Sequence, residues 1–186
     1  MNKLDFSKNI ILETDRLILR KITLNDAKDI FEYAKDEEVA KWVTWPAHKS
    51  IDDTIQFINS VLDDYKKNTH LCLVLERKED KKVIGTVGFV SFFIDHDKTE
   101  LGYIVGAKYW GNGYATEAAK KLLEFGFNEL GLHRIQANVF IPNEASKKVL
   151  KKLGMKFEGT LIQAFKKNGK YLDLESYAIL KDNFEK

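Results

Sequence analysis

The sequence predicts an α+β fold in which helices flank a mixed, mostly antiparallel sheet. Strand-like runs outnumber helical runs, and three of them follow one another directly after His70. A doubly wound sheet would instead need regular alternation of strands and helices, which is absent. We expect seven strands and about four helices, in the order β-α-α-β-β-β-α-β-α-β-β, within a single domain that comprises residues 1–186.

The first half of the chain is expected to form a strand, two helices and a run of three strands. Alternating apolar residues mark the strands, and apolar residues three and four positions apart mark the helices. An irregular segment, WVTWPAH, separates the two helices. In chain order the segments are RLILRKI, TLNDAKDIFEYAKD, DDTIQFINSVLDDYKKN, HLCLVLER, KKVIGTVGFVSFF and TELGYIV.

The second half begins with a helix after Gly113 and continues with a strand, a helix and two final strands. Asn168-Gly169 between the last two strands is a strong hairpin signal. We expect the last strand to be an exposed edge that could pair with another chain, so that the protein is a monomer or a homodimer. The segments are HRIQANVF, NEASKKVLKKLG, MKFEGTLIQAFKK and KYLDLESYAILK.

Composition excludes several classes of function. The 30 basic and 28 acidic residues nearly balance, which gives no general electrostatic basis for binding nucleic acid. No apolar run approaches the roughly 20 residues of a membrane helix, and the N-terminus does not resemble a signal peptide. The single cysteine excludes an intramolecular disulfide, and the four histidines lack metal-ligand spacing. We therefore expect a cytoplasmic protein without a bound metal or a membrane partner.

The segment YWGNGYATEA places Gly111 and Gly113 between a strand and the start of a helix. Glycine lets the backbone approach a ligand closely, and the first N–H groups of a helix lack partners within the helix. A strand, a glycine turn and a helix N-terminus together favour phosphate binding. The alternative is that Gly-Asn-Gly only turns the chain, and the two glycines by themselves do not decide between these interpretations.

Several motifs in order resemble the GNAT N-acetyltransferases, and in particular their RimJ/RimL-like branch. They are ELGYIV, the loop from Trp110 to Ala115, HRIQANVF with NEAS, and the final hairpin, so the resemblance covers roughly Glu100 to Leu180. The family loop is commonly written Q/R-x-x-G-x-G/A, and Trp110 replaces its first residue. This branch includes enzymes that acetylate the N-terminal amines of ribosomal proteins. The resemblance implies acetyl-coenzyme A as donor, with its pyrophosphate at this loop.

The resemblance also implies where the donor binds. Its pantetheine arm would lie between TELGYIV and HRIQANVF where these strands splay apart, and the thioester carbonyl would accept a main-chain hydrogen bond near Ile104. Asn143 is an obvious helix cap as well, and capping alone would explain its residue type. The residues implied in binding acetyl-coenzyme A are Ile104, Val105, Trp110, Gly111, Asn112, Gly113, Tyr114, Ala115, Thr116, Asn143 and Ser146.

Acyl transfer to an amine needs a base for the amine and a proton for the departing thiolate. Glu100, at the start of its strand, is the candidate base and also a candidate acceptor contact; the alternative is an exposed strand residue. Ser146 is the candidate acid by resemblance, or else simply a residue of the first helical turn. Trp42 and Trp45 are candidate acceptor contacts or covers of the core edge, and the hairpin at Lys167 could form the opposite wall.

These residues predict direct transfer of an acetyl group to a primary amine. The N-terminal amine of a ribosomal or other protein is one acceptor. A polyamine, an amino sugar or an antibiotic would suit the same chemistry. A binding module that keeps the coenzyme site without catalysis is the alternative from another class, and the substitution at Trp110 is its support.

Overall fold

The computed structural model describes residues 5–184, and an eight-stranded sheet forms its centre. The strands are β1 (Ile11–Glu13), β2 (Leu17–Lys21), β3 (Leu71–Arg77), β4 (Val83–Phe93), β5 (Lys98–Val105), β6 (Arg134–Phe140), β7 (Lys156–Lys167) and β8 (Lys170–Leu180). Their order across the sheet is β1-β2-β3-β4-β5-β6-β8-β7. All neighbours are antiparallel except β5 and β6, which are parallel, so the predicted mixed and mostly antiparallel sheet is confirmed.

The sheet contains one strand more than predicted, namely β1. Its three residues pair antiparallel with the start of β2, from Ile11 opposite Arg20 to Glu13 opposite Ile18. Ile11 is exposed and only Leu12 is buried. Such a short segment has no recognisable alternation, because a period of two needs about four residues to be visible.

Helices cover both faces of the sheet. They are α1 (Ala27–Ala34), α2 (Glu37–Ala40), α3 (Ile51–Lys67), α4 (Tyr114–Asn128), α5 (Glu144–Lys152) and α6 (Lys181–Phe184). Tyr33 of α1 interacts with Thr86 of β4, whereas the ring of Phe89, on the opposite face of the same strand, packs against Gly126 of α4. Thus α1, with α3 packed beside it, covers one face, and α4 with α5 covers the other. The four longer helices agree with the prediction.

The core lies on both sides of the central strands. In β3, for example, Leu71, Leu73 and Leu75 are fully buried. Fully burying a leucine side chain contributes about 1.5–3 kcal/mol relative to leaving it exposed. These central strands therefore form a rigid base for the neighbouring edge of β5.

The two parallel strands separate soon after they start. β5 and β6 pair only from Lys98 opposite Arg134 to Glu100 opposite Gln136. β5 nevertheless continues to Val105, and β6 to Phe140. A gap therefore opens in the middle of the sheet, as the family resemblance implies. Within residues 5–184 the C-terminal part of β5 has no strand neighbour on that side.

The final hairpin has the predicted turn. Asn168 and Gly169 have φ angles of 49° and 79°, and Lys167 pairs with Lys170 across them. Its place in the sheet differs from expectation, because β8 lies between β6 and β7, which makes β7 the edge strand. The expectation that the last strand forms the edge was wrong: its alternation does not reveal which of two hairpin strands joins β6. Within residues 5–184 no helix is long and apolar enough to cross a membrane.

Candidate active site

A cleft of about 360 Å³ opens where β5 and β6 part. β5 forms its floor, the loop before α4 forms one end, and α5 forms one side. Val39, Trp42 and Val43, from α2 and the segment after it, form the other side. The residues that line it are Val39, Trp42, Val43, Tyr103, Ile104, Val105, Tyr109, Trp110, Gly111, Gly113, Tyr114, Ala115, Thr116, Asn143, Ala145, Ser146, Lys148, Val149 and Lys152.

Most residues predicted to bind the coenzyme line this one cleft. Ten of the eleven implied residues do so, from three segments far apart in sequence, and Asn112 is the exception. Lys148 and Lys152 also line it, although a lysine-rich helix is more often simply a solvated face. Their ammonium groups lend the cleft a positive potential.

The glycine loop leads into α4 with its helix N-terminus facing the cleft. Gly111 and Gly113 have φ angles of 79° and 80°, which are favourable for glycine alone. Gly113 is the N-cap residue of α4 and supplies no side-chain cap, whereas Ser50 caps α3 and Asn143 caps α5. The first N–H groups of α4, with the positive end of its dipole, are therefore available to an anion.

Two side chains that do not line the cleft, those of Arg16 and Asn112, stabilise this loop by hydrogen bonds. Arg16, which precedes β2, donates from Nε to Glu117 Oε2 at 2.7 Å and from Nη1 to the Asn112 carbonyl at 3.0 Å. The Asn112 side chain itself donates to the carbonyls of Tyr109 and Trp110. Asn112 thus holds the loop together instead of lining the cleft. No local signal reveals the role of Arg16, because its partners lie about 100 residues away.

Trp110 replaces a polar residue of the family pattern and makes a specific contact. Its indole Nε1–H donates to the Val105 carbonyl at 2.6 Å, which ties the loop to the end of β5. The side chain is 47% exposed and lines the cleft. The departure from the pattern therefore leaves the loop fixed to the strand.

The main chain of β5 directs some of its polar groups into the gap. The Gly106 N–H bonds to the Ile84 carbonyl directly opposite on β4. Hydrogen-bonded pairs alternate along antiparallel strands, so Ile104 also bonds towards β4, to Thr86. The N–H and C=O groups of Tyr103 and Val105 therefore point away from β4, into the gap. The donor expected near Ile104 is therefore an N–H of one of these two neighbours.

Ser146 lies in the first turn of α5 and faces Tyr103 across the cleft. Its backbone N–H bonds to Asn143 Oδ1 at 3.1 Å, so Asn143 caps the helix. The Tyr103 hydroxyl lies 2.7 Å from Ser146 Oγ and 3.2 Å from the Ser146 carbonyl. Burial raises the pKa of Tyr103 to about 12, so that the phenol keeps its proton at neutral pH. Sequence reasoning invoked only main-chain groups of this strand, near Ile104, and missed the hydroxyl pair, whose members are separated by 43 residues.

Glu100 is the last residue of β5 that pairs with β6, and the gap between the two strands begins there. It shares a sheet face with Ile104, which stands opposite Thr86, and this is the face covered by α1. Glu100 is half-buried and does not belong to the cleft lining itself. Within residues 5–184 its carboxylate has no hydrogen-bond or ion-pair partner.

The two predicted aromatic acceptor contacts occupy different environments. Trp42 lines the cleft. Trp45 does not: it packs against the core, with its ring 5.1 Å from that of His48. The sequence left open that a tryptophan in this segment covers the edge of the core, and Trp45 does so.

The charges at the cleft are those of an anion site. Among the described residues that line it, none carries a carboxylate, while two are lysines. Within residues 5–184 no group of three or more His, Cys, Asp or Glu side chains could hold a metal ion. Cys72 is half-buried, and desolvation of its thiol raises the pKa to about 12, which keeps it protonated at neutral pH.

Comparisons with known proteins identify the family of the chain. A family model described as acetyltransferase (GNAT) domain matches residues 16–156. The uncharacterized N-acetyltransferase YoaA of Bacillus subtilis is 40% identical over 171 residues, which span 92% of this chain and 97% of YoaA.

Two solved structures extend the comparison. The microcin C7 self-immunity acetyltransferase MccE, in complex with acetyl-CoA and AMP, has a TM-score of 0.82 and 25% identity and covers 90% of this chain and 93% of its own. Ribosomal-protein-S5-alanine acetyltransferase from Vibrio fischeri has a TM-score of 0.80 and 26% identity, and the match covers 94% of this chain and 98% of that protein. The chain therefore belongs to the GNAT family and is an N-acetyltransferase that uses acetyl-coenzyme A as its donor.

Proposed function

We propose that the protein acetylates the N-terminal amine of a protein, by direct transfer from acetyl-coenzyme A. The observation that carries this choice is the uncharged side of the cleft formed by Val39, Trp42 and Val43. A polyamine presents several cations, which carboxylates would attract, and no described residue that lines the cleft carries one. A peptide terminus presents one amine beside apolar side chains. The similarity to the Vibrio fischeri ribosomal-protein acetyltransferase supports the same acceptor class.

The donor would lie along the gap in the sheet. Gly111, Gly113 and the N-terminus of α4 would bind the pyrophosphate, with Lys148 and Lys152 adding positive charge. The pantetheine arm would then follow β5 and bond to the main-chain groups that β6 does not reach. An N–H of Tyr103 or Val105 would stabilise the thioester oxygen as it becomes anionic.

Glu100 is proposed as the base that takes the proton from the attacking amine. It projects on the α1 face, which is also the face of Ile104 and of the uncharged side of the cleft. The amine would therefore approach from the face opposite to α4 and α5. An unpaired carboxylate can accept a proton directly or through one water molecule.

Ser146 is proposed to protonate the leaving thiolate. The amine nitrogen forms its bond to the carbonyl carbon, and the carbon–sulfur bond then breaks. The serine hydroxyl gives its proton to sulfur while it takes one from the Tyr103 hydroxyl, 2.7 Å away. Burial raises the pKa of Tyr103 to about 12, so the phenol holds its proton until the more basic serine oxygen takes it. The amine proton passes from Glu100 to solvent, and solvent returns a proton to Tyr103, so no net proton is gained or lost by the protein.

Release of free thiol from acetyl-coenzyme A tests the proposed acceptor. The amines are peptides that begin with alanine or serine, the same peptides with a blocked N-terminus, spermidine and an aminoglycoside. We expect turnover with the free peptides only, and a rate at least about 100-fold lower in Glu100→Gln, the usual scale for losing a general base. Turnover of spermidine alone would contradict a protein N-terminus as the acceptor. A full rate in Glu100→Gln would contradict the role of Glu100 as the base.

A further inference from the structure

Lys167, the last residue of β7, reaches across to the segment that follows α2. Its Nζ lies 2.7 Å from the Ala40 carbonyl, 3.1 Å from the Lys41 carbonyl and 2.6 Å from the Val43 carbonyl. A lysine ammonium has three N–H donors, so these three carbonyls occupy all of them. The contact joins parts of the chain more than 120 residues apart.

These carbonyls are poorly satisfied by the main chain: within residues 5–184 only the Ala40 carbonyl among them accepts a main-chain hydrogen bond outside a helix or strand, a long one of 3.4 Å from the Val43 N–H. Ala40 ends α2, and the last carbonyls of a helix have no donor within the helix. The segment from 41 to 50 contains no helix or strand that could satisfy them. The Lys167 side chain is half-buried and passes the ring of Phe140, with Nζ 5.7 Å from the ring centroid. The ammonium therefore replaces the next turn of helix as the donor.

The segment that Lys167 holds is also part of the cleft. Trp42 and Val43, between and beside the bonded carbonyls, line the uncharged side together with Val39. Their side chains can present a fixed surface only if the backbone that carries them is fixed. Besides α2 itself, the final hairpin contributes the three charge-assisted hydrogen bonds that do this.

We propose that Lys167 is a positioning residue that fixes the acceptor-side wall and thereby aligns the attacking amine. This inference rests on the proposed approach of the acceptor along that wall. The final hairpin thus acts in catalysis through one side chain that touches neither substrate. Donor binding, which uses β5, α4 and α5, should be almost independent of it.

The test compares Lys167→Met with Lys166→Met. Methionine keeps the unbranched apolar stem and removes the donors, and Lys166 is the exposed neighbour on the same strand, with its Nζ over the Tyr171 ring. The acceptor is a peptide that begins with alanine, or spermidine should the peptide not react. In Lys167→Met we expect the KM for the acceptor to rise about tenfold, in line with the sensitivity of transfer to small misplacements. The KM for acetyl-coenzyme A should stay unchanged.

Hydrogen exchange of the amides in residues 41–49 provides a second readout. It should accelerate in Lys167→Met, remain unchanged in Lys166→Met, and recover in part in Lys167→Arg, which restores charge and donors. Unchanged exchange in Lys167→Met would overturn the anchoring. Faster exchange with an unchanged acceptor KM, or an equal rise in both KM values, would overturn the role in acceptor alignment. Reaction with spermidine alone would contradict the protein acceptor while leaving these readouts intact.

Discussion

At the scale of single residues, the site depends on backbone conformations and on one half-buried hydroxyl pair. Gly113 combines a positive φ with a position at the start of α4. Tyr103 and Ser146 are brought together from β5 and α5. In the proposed mechanism the first feature would bind the donor phosphates and the second would protonate the leaving sulfur, so each can be tested by a different measured constant.

Gly113→Ala should weaken acetyl-coenzyme A binding by about tenfold or more, measured by calorimetry, because a residue with a Cβ is strained at a φ of 80° and the loop must shift from the conformation that presents its N–H groups. The control is Gly154→Ala. Gly154 has nearly the same φ, 79°, and in both glycines a Cβ would first meet a side-chain atom at 3.6 Å. Equal affinity in the two variants would show that the loop does not bind the phosphates.

Tyr103→Phe should lower kcat several-fold and leave the KM for acetyl-coenzyme A unchanged, since the ring stays and only the hydroxyl beside Ser146 is lost. Tyr171→Phe serves as control, because Tyr171 is 60% exposed at the final hairpin. Should Tyr103→Phe and Ser146→Ala prove additive in kcat, the two hydroxyls would not act as one unit.

At the scale of elements, α3 shows how a helix boundary depends on a few hydrogen bonds. Ser50 and Asp53 form a reciprocal capping box, in which Asp53 Oδ2 accepts from the Ser50 N–H at 3.0 Å and also from the Lys49 N–H at 2.8 Å. These two backbone hydrogen bonds lower the pKa of Asp53 below its ordinary value of 3.8. A carboxylate that is more acidic in the folded state stabilises that state when ionised.

Asp53→Asn should therefore lower the free energy of unfolding at neutral pH. The contribution of Asp53 is fully present above the unfolded pKa of about 3.8 and is lost as the pH falls through the lower folded pKa. The difference between wild type and variant should thus narrow below pH 4 in urea unfolding. Asp52→Asn, in the same first turn, is the control. A difference that is constant from pH 7 to pH 3 would contradict the assignment.

At the scale of the whole molecule, the sheet separates the two proposed substrates. The acceptor side belongs to α1 and α2, and the donor side to α4 and α5, with the gap as their meeting point. Both substrates can then be bound at once. The Cys72 thiol, which its raised pKa keeps protonated and which does not line the cleft, offers no nucleophile that would store the acetyl group.

Steady-state kinetics should accordingly show intersecting double-reciprocal lines, which indicate a ternary complex. Mass spectrometry of protein incubated with acetyl-coenzyme A alone should show no stoichiometric acetylation of Cys72 or Ser146. Parallel lines together with such an adduct would demonstrate a covalent intermediate and contradict direct transfer.

The sequence allowed most elements to be predicted, because alternation, helical spacing and the Asn168-Gly169 turn are local signals. It failed where partners are distant: β1 is recognisable only by its pairing with β2, and the contacts of Arg16 and Lys167 span about 100 residues or more. The sequence also did not reveal which strand of the final hairpin lies next to β6, because that choice depends on a distant strand. Most predicted residues that belong to a motif line the cleft, whereas the residues that act through tertiary contacts were not predicted.

The early separation of β5 from β6 has a consequence for which molecules can serve as donors. Beyond Glu100, β5 has main-chain donors and acceptors that point towards β6 but are not paired with it. The pantetheine arm is rich in amides and can act there as a surrogate strand that completes the ladder. Short thioesters without those amides should therefore be poor donors even though their reacting carbon is identical, because recognition resides in the backbone-like portion of the coenzyme.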